Sequence, residues 1–452
     1  MIQPERIHVL HDVPLRKGRY VLYWMQQSQR AHCNHALEFA IRVADEQNLP
    51  VLVGFGLDEV FPQANQRHYL FMLQGLKETA GDLRSRGIGF VLRRGDPSRV
   101  ALELSADAAM VVCDQGYLRF QRAWREHLAA EASCRVVCIE SDAVVPVETA
   151  SVKAEIGART LRPRLNRHLE DFMVPLAQRN PKVAFQKKTL RGLKVEDTPN
   201  LLRSLKTDES VTDAGGYFSG GRSHGHKRFQ DFLNSALQGY GENSRKPERD
   251  ATSHMSPWLH FGQVSSLELC LKVRQFPLSL GASWLEQLVV RRELAINFTW
   301  YVPDYDAYSC VPRWAQESLS ERRAGSLNDR YSREQLETAQ TRDSYWNAAM
   351  QEMRITGFMH TYMRMYWGKK ILEWTPDAEK AFHLISELNN RWFLDGRDPN
   401  SFAGVAWIFG VHDRAWPSRP GFGKVRSMTA SGLERKCDIA GYVKRVGELG
   451  RR

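Results

Sequence analysis

The 452-residue sequence contains no run approaching the ~18 apolar residues that a membrane span requires, so no transmembrane helix is expected. The amino terminus, MIQPERIHVLHDVP, lacks the apolar stretch and small-residue cleavage site of a secretion signal. Cysteine is sparse: seven residues, odd in number and scattered, with no CxxC and no HExxH. Cys134 and Cys138 form no zinc pattern. Reduced thiols in a cytoplasm and no metal site are therefore expected. GxGxxG and GxxxxGK[ST] are absent too, which leaves a nicotinamide-dinucleotide site and a P-loop without support.

What the sequence does have is tryptophan and positive charge, 12 Trp and a net charge of +11. From Asp413 to the end there are ten Lys/Arg against four Asp/Glu, interleaved with Trp416, Phe422 and Tyr442. A solvated face would look like this, and so would a surface that tracks phosphates. The excess of cations favours a polyanionic partner.

Short apolar runs at 20–25, 51–57, 89–95, 108–116 and 135–142 read as buried strands. Stretches of helical period at 34–47, 66–86, 97–106 and 119–131 separate them. Near-continuous apolar strands alternating with helices predict a parallel sheet covered on both faces, with ligands beyond the strand carboxyl ends. Residues 146–212 read as a bridge: a basic amphipathic helix at 157–173, then a charged, Pro- and Gly-containing linker. From Gly220 onward the pattern is helical, at 221–238, 263–276, 281–300, 332–339, 343–372, 376–389 and 433–446. The predicted division is 1–145, 146–212 and 213–452.

Several constellations in the second half could carry chemistry. DATSHMSPWLHFGQVS (250–265) groups Thr252, Ser253 and Ser256 before a proline, either as an ordinary cap and turn or as a phosphate cradle. FSGGRSHGHKRF (218–229) is another glycine-rich helix entry. LNNRWFLDGRDPNSFAGVAW (388–407) is too polar for core and too dense in amides and carboxylates for a simple loop. FMHTYMRMYWGKKILEW (358–374) carries Trp367 and Trp374, which helical rise separates by ~10 Å on nearly one side. Two buried core indoles, or two stations of a relay, both fit.

Taken together, LHFGQVS, MHTYMRMYWGKKILEW, LDGRDPN and GVHDRAW resemble class II cyclobutane pyrimidine dimer photolyases of the photolyase/cryptochrome superfamily. YWMQQSQR (23–30) and RTLRPRLN (159–166) are similar to that family's antenna domain and its exit helix, so the resemblance spans nearly the whole chain.

The resemblance implies an α/β antenna domain with a Rossmann-like parallel sheet, followed by an all-α FAD-binding domain. It implies phosphate and ribitol contacts at Tyr240, Thr252, Ser253, His254, Met255 and Ser256. It places an Arg364–Asp395 ion pair beside the flavin ring, and Asn389 facing N5, with Asn400 competing for that role. Trp367, then Trp346, then Trp374 would relay the electron that reduces the flavin. Trp407 and Met365 would line a pocket for an extruded dimer, while Arg245 or Arg249, Arg414, Lys424 and Arg426 would hold DNA phosphates. The implied partner is UV-damaged DNA containing cyclobutane pyrimidine dimers, for a monomeric enzyme. The antenna pigment is left open: an 8-hydroxy-deazaflavin, a folate, or none.

Two positions depart from the family pattern. Gln287 stands where that pattern has Glu; an amide donates a hydrogen bond but supplies no proton, so weaker repair or a shifted lesion preference is expected. Arg291 stands where some relatives have Trp, and its flat cation can still stack; read locally it is a surface charge. Gln287 also gives weight to a cryptochrome-like photoreceptor, against which stand Trp407, the basic face and the lack of a long extension after the helices. A helical nucleic-acid-binding protein with a vestigial cofactor cleft is the third reading.

Overall fold

The computed structural model describes residues 2–186, 191–211, 214, 216–322 and 330–450. Six strands form one sheet in the order β1-β6-β5-β2-β3-β4: β1 Ile7–His11, β2 Tyr20–Trp24, β3 Val51–Leu57, β4 Gly89–Arg94, β5 Ala108–Asp114 and β6 Arg135–Ile139. β2 to β6 pair in parallel. β1, which the apolar runs did not reveal, lies antiparallel on β6 at the edge, half exposed. The helices between strands are α1 His35–Gln47, α2 Gln66–Ser85, α3 Pro97–Ser105 and α4 Arg119–Glu131.

The period of two along each strand explains the layering. Val21, Tyr23, Val51 and Val53 face α1 and α2, whereas Leu22, Trp24, Leu52 and Val111 face α3 and α4. Asn34 caps α1 by accepting from Leu37 N, and Asp96 caps α3 with Pro97 at its first position. The chain runs outward through β3 and β4, then crosses back to β5 and β6. The switch between β2 and β5 opens a crevice at the strand carboxyl ends.

The second half is helical. The basic helix Ala158–Phe172 is α5; after further helices that include Arg222–Ser235, Ser266–Val273 and Leu278–Leu285 come α6 Arg292–Tyr301, α7 Ser344–Thr356, α8 Thr361–Trp374, α9 Ala378–Trp392, α10 Pro399–Ile408 and α11 Ile439–Leu449. Sequence periodicity predicted one helix over 343–372; the structure has two. Gly357 ends α7 in the left-handed region (φ 72°), and a side chain there would strike Leu394. The 388–407 segment, expected to be too polar for core, is largely buried: Asn389, Asn390, Asp395, Arg397 and Asp398 each expose less than a tenth of their surface, and its second half is α10. These polar groups are buried because they bond to one another and to the sheet domain, as described below. The chain before Arg292 passes through a widened, π-type turn, Glu286–Arg291, of a kind that recurs at functional sites. The linker read after residue 173 contains a short helix, Thr198–Arg203, and falls partly on residues outside those described.

The halves are stitched together by buried polar contacts. Arg30 donates to the Gly262 carbonyl at 2.9 Å, Arg67 to the Met353 and Trp392 carbonyls, and Arg292 to the Asp142 carbonyl at 3.0 Å. Glu293 accepts from Val144 N at 2.7 Å.

Candidate active site

Gly357 turns the chain so that Leu394 N donates to its carbonyl at 2.9 Å, which brings the loop after α9 against the start of α8. There Arg364 reaches both Asp395 oxygens, at 3.1 and 3.2 Å, with its guanidinium 3.7 Å from the centre of the Phe393 ring. Arg364 Nε is buried without a partner. Asn389 is buried and donates to Asn390 Oδ1 at 3.1 Å. Asn390 in turn donates to Gln63 Oε1, across the domain boundary, at 2.7 Å. Arg397, held at φ 61°, donates its backbone N–H to Asn390 Oδ1. Asn400 is exposed and bonds to Asp398, so of the two competing amides Asn389 is the one on the buried side. Burial opposes ionisation of Asp398, but the bond and charge of His260 and the charge of Arg292 hold its carboxyl below the ordinary range.

The 250–256 segment packs nearby. Asp250 and His254 are both left-handed (φ 49° and 55°) and pair at 2.8 Å; left-handed non-glycine residues mark strained, functional loops. Burial works against ionisation of Asp250, yet His254, Arg445 and Arg228 hold its carboxyl low. Met255 is buried, Thr252 Oγ1 is buried without a partner, and Ser256 opens the short Ser256–His260 helix ahead of Pro257, with Ser253 half-buried before it. Tyr240 stands edge-on to Phe232, and burial pushes its hydroxyl up to about 12. Burial also drives His360, which caps α8, down to about 4; its backbone N–H reaches the buried Glu352, which also takes Tyr442 and Arg445 of α11 at 2.7 Å each.

Trp346, Trp367 and Trp374 lie in one buried cluster. Trp346 Nε1 donates to the Trp367 carbonyl at 2.9 Å, and the rings of Trp346 and Trp374 meet at 5.4 Å, tilted 66°. Trp367 meets Phe393 at 6.2 Å, so Phe393 joins the indoles to the Arg364–Asp395 pair. At the far end Tyr331 packs on Trp374 at 4.8 Å.

On another side of α8, Met365 approaches α10 at Gly404, three residues before the half-buried Trp407. Gln287 and Arg291 are exposed on the π-type turn, Arg291 beside Glu286 at 3.3 Å. Arg245, Arg249, Arg414 and Lys424 are exposed. Arg426 is engaged instead, bonding Asp413 at 2.8 and 3.0 Å and lying 4.3 Å from the Trp416 ring. Arg451 and Arg452 lie outside the described residues. Among the described residues no group of three or more His, Cys, Asp or Glu is placed to hold a metal ion, and no helix is long and apolar enough to cross a membrane.

A cavity partly open to solvent lies in the crevice at the sheet's switch point. Gln26, Gln27 and Gln29 from the loop after β2, Phe55 from β3, Asp58 just beyond it and Trp124 from α4 line it. Both amide atoms of Gln26 and Oε1 of Gln29 are buried without partners. Sequence reasoning did not find this cavity's residues; the three glutamines in YWMQQSQR were its one visible signal. It also missed Phe393, Gln63, Glu352 and Lys369.

Residues 21–182 match the DNA photolyase family model. The chain is 45% identical, over 99% of both sequences, to deoxyribodipyrimidine photo-lyase of Methanothermobacter thermautotrophicus (strain ATCC 29096 / DSM 1053 / JCM 10044 / NBRC 100330 / Delta H). The chain belongs to the DNA photolyase family. It is a lyase, and its α/β-then-helical architecture is that of its photolyase relatives. A bacterial class III photolyase from Agrobacterium tumefaciens superposes with a TM-score of 0.72 at 19% identity, covering 95% of this chain and 87% of that one. An archaeal photolyase from Sulfolobus tokodaii with two FAD molecules also gives 0.72, at 16% identity, covering 94% and 89%. At these identities both likenesses concern the fold.

Proposed function

We propose that this photolyase is of the class II kind and splits cyclobutane pyrimidine dimers in DNA in the light, with FAD in the helical half of the chain. The observation that carries the reading is Phe393, which touches Trp367 at 6.2 Å and Arg364 at 3.7 Å and so links a buried indole path to a desolvated ion pair. The donors there suit a flavin, which offers carbonyl and phosphate oxygens: Thr252 Oγ1, Arg364 Nε and Trp367 Nε1 are all buried and unpartnered. Tyr240 and residues 252–256 would hold its phosphates and ribitol, and Arg364, Asp395 and Asn389 would flank its ring.

When bound and reduced, FAD supplies a light-excited electron donor. Trp374, Trp346 and Trp367 would pass in the electron that prepares it, over the Trp374–Trp346 ring contact and the hydrogen bond from Trp346 Nε1 to the Trp367 carbonyl. Trp407 and Met365 would hold the flipped dimer, whose poor stacking lowers the few kcal/mol that extrusion costs. Gln287 and Arg291 would reach it from the π-type turn; Arg245, Arg249, Arg414, Lys424 and the Arg426 region would hold phosphates. In this reading the chain divides into an antenna domain (1–145), a connecting helix and linker (146–212) and a catalytic domain (213–452). The cavity at the sheet switch would take a second chromophore. Its aromatic wall and unpaired amides suit a flat heterocycle with donors and acceptors on one edge, as in a deazaflavin, better than an anionic-tailed folate.

Light-dependent loss of dimers from irradiated DNA tests the reading. A yellow protein that binds dimer-containing DNA yet leaves dimers intact under light would refute it.

A further inference from the structure

Lysine is among the residues least often buried whole, because an ammonium in an apolar interior loses its hydration. Lys369 is fully buried nonetheless. Its Nζ donates to the Ile408 carbonyl at 2.5 Å and lies 5.3 Å from the centre of the Trp407 ring. Gly368 makes this possible. A Cβ at that position would stand 2.1 Å from Ile408 Cδ1, so a glycine is what lets α8 approach α10 closely enough. Ile408 is the last residue of α10, where the helix gathers partial negative charge. The Trp407 ring also has Arg426 at 5.7 Å, itself fixed by Asp413.

We infer that Lys369 is a positioning residue of the dimer pocket: its cation, pinned on the Ile408 carbonyl, fixes the Trp407 indole that forms the pocket wall. The inference rests on the reading of Trp407 as that wall. Two charged groups face Lys369, both from the 413–426 segment: Asp413 and Arg426. α10 offers it Trp407 and Ile408, and α9 packs the apolar Ile385 beside Gly368. Burial pushes the ammonium down to about 7, with Asp413 opposing and Arg426 adding. As pH rises through that value the cation is lost, and with it the cation–π contact that holds the ring. Dimer binding then weakens about five-fold, the factor such a contact supplies.

The test measures dark binding of the FAD-containing enzyme to a short single-stranded oligonucleotide bearing one thymine dimer, from pH 6 to 8.5 at fixed ionic strength. The same oligonucleotide without the dimer gives the background. Wild type should lose about five-fold in dimer affinity across the range. Lys369→Arg, charged throughout, should stay tight and flat, and Lys369→Met weak and flat. A Lys369→Met or Lys369→Arg curve that follows the wild type overturns the inference. If the Met variant fails to retain FAD, the Arg curve alone decides. Trp407→Ala separates the two readings. If it binds the dimer as wild type does, the pocket reading itself falls. If it binds weakly at every pH while Lys369→Met titrates like wild type, only the role of Lys369 falls.

Discussion

Replacing Arg364 with Met should damage the site through the partner left behind. Asp395 accepts two bonds from Arg364, at 3.1 and 3.2 Å, and the two side chains expose only 16% and 10% of their surface. Removing one member of a buried ion pair costs about 3–5 kcal/mol, because the remaining charge is desolvated and unpaired. The residual exposure puts Arg364→Met near the lower end, about 3 kcal/mol. Loss of the Phe393 contact adds about 1 kcal/mol. Asp395→Leu should cost a similar amount by stranding the guanidinium. The double variant removes both charges, so it should cost less than the sum of the singles, with a coupling of about 1–3 kcal/mol. Urea unfolding followed by tryptophan fluorescence gives the four free energies, and visible absorbance after gel filtration reports cofactor retention. Additive single effects, or a cost under about 1 kcal/mol for Arg364→Met, would refute the argument that this pair is a desolvated unit.

Trp346→Phe and Trp374→Phe should each abolish most light-driven reduction of the bound cofactor while leaving dimer splitting intact after chemical reduction; stopped illumination with absorbance detection separates the two steps. Gln287→Glu should raise repair yield, and an unchanged yield per absorbed photon would remove Gln287 from the site. Burial pushes Glu293 up to about 8, so the folded state holds its proton across a range where the unfolded chain releases it. Stability therefore falls as pH rises from about 4.5 to 8, and Glu293→Gln should flatten that fall by on the order of a few kcal/mol, read from urea midpoints at pH 5 and pH 9. Removing Lys424 or Arg414 should weaken binding to any DNA and lower the salt slope by about one each; slopes equal to wild type would take them off the phosphate track.

The sheet was legible because β2, β3 and β5 are buried along their whole length and read as unbroken apolar runs, and β4 and β6 each keep a buried apolar stretch, Val91–Leu92 and Val136–Ile139. β1 was not, since IHVLH is a half-exposed edge whose histidines dilute the signal. The break at Gly357 was hidden because apolar residues continue on both sides of it, and what ends α7 is a backbone angle set against Leu394. The burial of 389–398 was unreadable for a deeper reason: its partners, Gln63 and His260 among them, are far away in the chain, and only the fold supplies them. The Arg364–Asp395 pairing came from family resemblance, since nothing local joins two residues 31 positions apart. Lys369 and Lys370 are adjacent and alike on paper. One is fully buried beneath α10 and the other bonds Glu373.

The Asn390–Gln63 bond and the donation from the Arg397 guanidinium to the Gln63 carbonyl make one short stretch serve two masters. The turn that presents Asn389 and Asp395 is braced from behind by the amino-terminal half. A chimera that exchanges the first 145 residues for another sequence would thus alter the helical half without touching its code, unless the graft restored these bracing contacts, those of position 63 and of Arg67 among them.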